Sequence, residues 1–194
     1  MTDYSDVLDF WFGEPASDGF GAYREAWFEK DEAFDAEVMR CFGKDVAKAS
    51  AGSYDSWQDT AAGTLALIIM LDQFPRNIFR GLPKAYAADH KARSIARRAI
   101  DCRLDQGLGT MQRLFMYLPF EHSENLADQR RCVALYLEIL GDFGDEIRAR
   151  AHFSVYRHCE IIERFGRFPH RNEIMRRQSS PDEIAFLKEP RSSF

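Results

Sequence analysis

No apolar run in this chain is long enough to span a bilayer, since the longest extends only from Leu65 to Leu71. No basic stretch opens it either: "MTDYSDVLDFWFGE" carries acids instead, unlike a secretory leader. The four cysteines (Cys41, Cys102, Cys132, Cys159) are scattered with no C-x-x-C pair, which argues against a disulfide framework or a thiolate zinc knuckle and for small buried hydrophobes. No stretch alternates apolar and polar residues like a strand over more than a few positions. H-E-x-x-H, G-x-S-x-G, the P-loop and G-x-G-x-x-G are all missing, so no familiar cofactor or metal signature is present. A net charge of −5 argues against duplex nucleic acid as a partner, because phosphate binding needs a basic footprint. The expectation is a cytoplasmic protein with no membrane span.

With 194 residues, 45% of them apolar and 29% charged, the chain is sized for a single domain with a proper core. Charge is uneven along it. Residues 1–60 hold 14 acids against 5 bases, whereas Arg148 to Arg177 hold 8 arginines and three histidines. Either the two ends complement each other in the fold or the second forms an anion-binding stripe.

The pattern is helical throughout. Asp3 or Ser5 caps a first helix holding Val7, Leu8, Phe10 and Trp11, and another starts near Asp31. From Asp55 a long helix runs to Phe74, and "AAGTLALIIML" within it is apolar on every side, the mark of a helix at the centre of a bundle. Pro83 suits the first turn of the next, whose Ala85, Ala88, Ala92, Ala96 and Ala99 permit close helix approach. Helices follow from about Thr110, Ser123 and Asp145. The Ser123 helix is read with Leu126, Val133, Leu137 and Leu140 inward, and the Asp145 helix with Ile147, Ala151, His158, Ile162 and Phe165 inward. Ser180, Pro181 and Glu183 form a capping box for the last. The fold class is all-α, with about eight helices.

Polar residues gather at three helix ends. "LDQFPRNIFR" contributes Asp72, Gln73, Arg76 and Asn77; "YLPFEHSENLADQRR" contributes Glu121, His122, Asp128 and Arg130; "RFGRFPHRNEIMRR" contributes Arg167, His170, Arg171 and Asn172, with His158 on the helix before it. Arginine grips carboxylate or phosphate through a planar fork, and His with Asp or Glu exchanges protons near neutral pH. Structure has its own uses for them: Pro119 ends a helix, Ser123, Asn77 or Asn172 caps one, and Arg130, partly covered, pairs with Glu121 or Asp128. Glu124 and Asp128, one turn apart, with His122 and His158 near, leave a metal site as a minor alternative. Three readings stay open. One is a pocket binding a small anionic ligand or acidic peptide through Arg76, Arg167 and Arg171; another is a hydrolase with His158 or His122 as base and Glu121 or Asp128 orienting it; the last is an interaction scaffold whose charges only lock helices together.

These same segments, with "VLDFWFGE" and the Ser-rich cap before the final helix, resemble a family catalogued as domain of unknown function 924, from about Val7 to Phe194. The resemblance implies a tetratricopeptide-like fold, an array of antiparallel helix pairs, and it implies no activity. "MRRQSS" and "KEPRSSF" depart from the family pattern. Periodicity alone does not point to such an array, because the consensus 34-residue repeat is absent.

Overall fold

A computed structural model describes residues 2–193. Phe194, where the resembling stretch ends, lies outside them. Among the described residues there are eight α-helices and no strand: α1 (Tyr4–Phe12), α2 (Glu32–Ser50), α3 (Ala61–Ile78), α4 (Asp89–Asp101), α5 (Thr110–Glu121), α6 (Leu126–Ile139), α7 (Asp145–Phe165) and α8 (Pro181–Phe186). None is long and apolar enough to cross a membrane.

Helix α3 is the axis of the molecule. Every residue from Gly63 to Pro75 is buried, and α1, α2, α4 and α5 pack around it. Its apolar circumference requires this, since an exposed side would leave Leu65 to Leu71 in water. The aromatic "FWF" of α1 supplies the plug: Phe10 and Trp11 meet Phe74 edge-on, while Trp11 and Phe12 meet Phe115 of α5. Ala92, Ala96 and Ala99 of α4 are buried, which is the close approach that small residues allow. The chain then adds α6 against α5 and α7 against α6. A smaller cluster of Ile161, Ile162, Phe168 and Phe186 fastens the C-terminal segment and α8 to α7.

Several starts fall where sequence places them. Asp3 caps α1 and Asp31 caps α2, each accepting backbone N–H bonds, and the Ser180–Glu183 capping box of α8 is present in both directions. Others differ. Neither Pro75 nor Pro119 stops its helix: α3 continues to Ile78 and α5 to Glu121, because a proline near a C-terminus removes one N–H bond without blocking the turns already formed. Asp55–Asp59 and Pro83–Tyr86 are separate 3₁₀ turns, so α3 and α4 begin later than their polar flanks imply.

Ser123 is not the cap of α6. Asn125 takes that place through bonds to the Ala127 and Asp128 amides, while the Ser123 hydroxyl is drawn to the Asp128 carboxylate. The inward face of α6 is also rotated from the expected one. Gln129, Cys132, Leu135, Tyr136 and Ile139 are buried, whereas Leu137 is 53% exposed. The cause lies in α5, whose last carbonyls need donors: the Gln129 amide lies within hydrogen-bonding distance of the carbonyls of Phe120 (3.3 Å), Glu121 (2.6 Å) and Ser123 (2.7 Å). A leucine-based reading of the stripe cannot see that demand.

Candidate functional site

The polar residues of the three segments do converge, in part. Asp72, in the second half of α3, is fully buried, and His122, the C-cap of α5, places Nδ1 2.8 Å from its Oδ1. Arg76 stands one turn after Asp72 with Nη1 3.2 Å from the same carboxylate, and it grips Asp89 at the start of α4 with both guanidinium nitrogens, at 3.0 Å each. Gln73 donates to Asp72 as well. Burial alone would push the Asp72 carboxyl up, but Arg76, His122 and Gln73 outweigh it and hold the group well below the usual carboxylate range. Burial would likewise lower Arg76, and Asp72 and Asp89 overcome that. Arg76 thus bridges the two carboxylates, Asp72 and Asp89.

A second group lies one residue away in the chain. Glu121, 3% exposed, accepts a 2.6 Å bond from the Ser154 hydroxyl of α7 and lies 3.2 Å from His158 Nδ1, which donates to the Ser154 carbonyl at 2.9 Å. Burial lowers the His158 pKa to about 4, and Glu121 only partly opposes it, so at neutral pH this imidazole is uncharged and its contact with Glu121 is no salt bridge. His170, on the next segment, is lowered to about 3 by burial and by neighbouring Arg171.

Arg171 joins the two groups. Its Nη1 donates to the His122 carbonyl at 3.0 Å, and its guanidinium lies over the rings of Tyr86 (4.8 Å) and Phe168 (4.4 Å). It is 7% exposed, and among the described residues it is the one buried Arg or Lys. Among the described residues no carboxylate comes within ion-pairing distance of it, and its buried Nε finds no acceptor. Burial and the nearby Arg76 lower its pKa to about 10, with Asp89 and Glu124 opposing from farther off, so it still carries its charge at neutral pH.

Other expected members are elsewhere. Arg167 makes a closed ion pair with Glu183 (2.6 and 2.8 Å) and donates to the Gln178 carbonyl, tying α8 to the end of α7. That pair, with Arg167 first and the Ser180 amide after burial's opposing effect, lowers the Glu183 pKa to about 2. Arg130 is not partly covered: it is 64% exposed and reaches Glu163, because the rotation of α6 turns it outward. Asp128 is held by Arg93, Arg97 and Ser123 instead. Asn77 bonds Asp35 and Asn172 bonds Ser179, so neither caps a helix through its side chain.

Glu124 grips Arg177 at 2.6 and 2.9 Å and accepts the Phe168 amide, which takes it away from any metal arrangement with Asp128. Among the described residues no group of His, Cys, Asp and Glu is placed to hold a metal ion. Nor do the acidic and basic ends mainly meet each other: Asp35 takes Arg80, Asp55 takes Lys91, and Arg150 touches Glu29 only at 4.0 Å.

Sequence reasoning passed over Asp89, Tyr86 and Ser154. An acid opening a helix looks like a response to the helix dipole, and a serine within one looks neutral, so nothing local marked them. One open groove of about 440 Å³ lies beside Arg164, Arg167 and Asp182, and another of about 300 Å³ lies between α6 and α7 at Val133, Tyr156 and Cys159. The buried ionic cluster lines neither.

With this geometry in place, the chain's relatives can be set beside it. Residues 7–191 match the family described as bacterial protein of unknown function (DUF924), and the chain belongs to that family. A solved structure of a protein of unknown function from Agrobacterium tumefaciens is similar to it, with 38% identity over 95% of this chain and 96% of the other and a TM-score of 0.83. No curated protein matches.

Proposed function

We propose that this protein binds a small anion, a carboxylate or a phosphate group, over Arg171 at the junction of α3, α5 and the segment after α7. The observation that carries the reading is the buried charge of Arg171 without a carboxylate partner among the described residues, when the other arginine of the cluster, Arg76, is fully matched. A desolvated cation is costly, and an incoming anion would relieve that cost. Arg76 supports the site as a fixed neighbour rather than as a ligand, and Arg167 takes no part. The helix arrangement fits a tetratricopeptide-like array, in which alternate helices share a direction: α3, α5 and α7 bring their C-terminal halves together through Asp72, His122, Glu121 and His158. Such an array would set the site at one edge of the layer.

The test is thermal denaturation with inorganic phosphate and with short dicarboxylates. An anion at ~100 times its dissociation constant adds roughly 2.7 kcal/mol and raises Tm. The rise should vanish in Arg171→Met, which keeps the apolar stem between Tyr86 and Phe168. A wild-type Tm indifferent to every anion, or an undiminished response in the variant, would sink the proposal.

A further inference from the structure

The Asp72–His122 pair has the form of a working dyad. Asp72 is ionised and can only accept, so at the 2.8 Å contact Nδ1 is the donor, and the nitrogen turned away from Asp72, the one a base would use, is Nε2. That nitrogen has no hydrogen-bond partner among the described residues, and the side chain keeps 15% exposure. Asp72 is itself held by Gln73 and Arg76, so the ring's orientation is set by a second layer of contacts. The unmatched guanidinium of Arg171 is anchored on the carbonyl of the same histidine. His158 differs on each count: it is buried, uncharged and engaged at Nδ1 by the Ser154 carbonyl.

We infer that His122 is a general base oriented by Asp72, and that the site hydrolyses a carboxylic ester whose acyl part bears a second, anionic group held by Arg171. The substrate class rests on the anion-binding reading above. No hydroxyl or thiol hydrogen-bonds Nε2 among the described residues, so the nucleophile is water. Nε2 takes a proton from water as its oxygen bonds to the acyl carbon; the tetrahedral intermediate collapses, the C–O ester bond breaks, and the imidazolium returns the proton to the departing alkoxide. Water and ester give acid and alcohol, and one proton shuttle suffices.

The experiment compares the full chain with His122→Asn on the mono-para-nitrophenyl ester of succinic acid and on para-nitrophenyl acetate. Asparagine can still donate to Asp72 but lacks the outer nitrogen, and it should leave the phosphate-induced rise in Tm intact. The expected result is wild-type kcat/KM at least ~100-fold above the variant, with the acidic ester preferred and that preference lost in Arg171→Met. Wild-type turnover no greater than that of free imidazole at equal concentration, or a fully active His122→Asn, overturns the inference; anion binding retained in either case leaves the ligand site standing. Should His122→Asn fold poorly, the wild-type profile decides: kcat/KM that rises with pH to a plateau supports the base, and a flat profile overturns it.

Discussion

Arg76 and Arg171 lie in one cluster and should answer substitution in opposite ways. Removing Arg76 strands Asp72, which has no exposure, together with Asp89; Arg76→Ala should cost roughly 3–5 kcal/mol in denaturant unfolding, the range for breaking a buried pair. Arg171→Met removes a buried charge that no acid pairs with directly among the described residues, so the ligand-free protein should lose less than about 1 kcal/mol or gain stability. His158 gives a proton-linked prediction at the same scale. Its folded pKa, about 4, lies below the ordinary value of 6.5, so the unfolded chain binds the extra proton first as pH falls. Stability is therefore complete above about pH 6.5 and lost between there and about pH 4, on the order of 3 kcal/mol from this group. Its imidazole NMR signals should stay flat from about pH 5 to 8, and a midpoint near neutrality would refute the buried, uncharged state.

At the scale of elements, much was legible where a single side chain performs a local task. Asp31 before α2 and the Ser180–Glu183 box before α8 cap the backbone next to them, so sequence alone places them. What sequence missed was set by neighbours. Pro119 looks like a stop signal, yet α5 runs through it, and a donor for its buried last carbonyl comes from Gln129 on the following helix. That single amide rotated the inward face of α6, and with it Arg130 went to solvent. Gln129→Leu should thus be costlier than a buried polar-to-apolar exchange of similar size elsewhere: roughly 1–3 kcal/mol, since the α5 carbonyls lose their donor. Equilibrium unfolding in urea checks this, and a neutral variant would mean that water replaces the amide.

For the whole molecule, the three polar segments were legible as a set because each combined a proline, an aromatic plug and charges at a helix end. Which members meet was not, since that depends on the relative direction of α3, α5 and α7. Those directions bring together Asp72, Glu121, His122, His158 and Arg171 but send Arg167 to Glu183. A stack of helix pairs held only by nearest neighbours can melt in stages. Here the contacts from α3 to the segment beyond α7 cross the stack, and urea unfolding followed by tryptophan fluorescence, which senses Trp11, Trp27 and Trp57, and by far-ultraviolet circular dichroism should coincide. Separate midpoints would show that the cluster does not couple the two halves.

The position of Asp72 on the axial helix also bears on how the chain is made. Its imidazole partner follows 50 residues later, and the His122 carbonyl meets Arg171 only 49 residues after that. At about 5–20 residues per second, α3 emerges from the ribosome several seconds before its carboxylate can be matched from α5, and longer before the last arginine arrives. Arg76, four residues beyond Asp72, is available early and spares the nascent hydrophobic helix an unpaired acid in the meantime. Translation pauses before Arg171 would therefore lengthen the life of a half-built, sticky intermediate, and chaperone demand should concentrate in that interval.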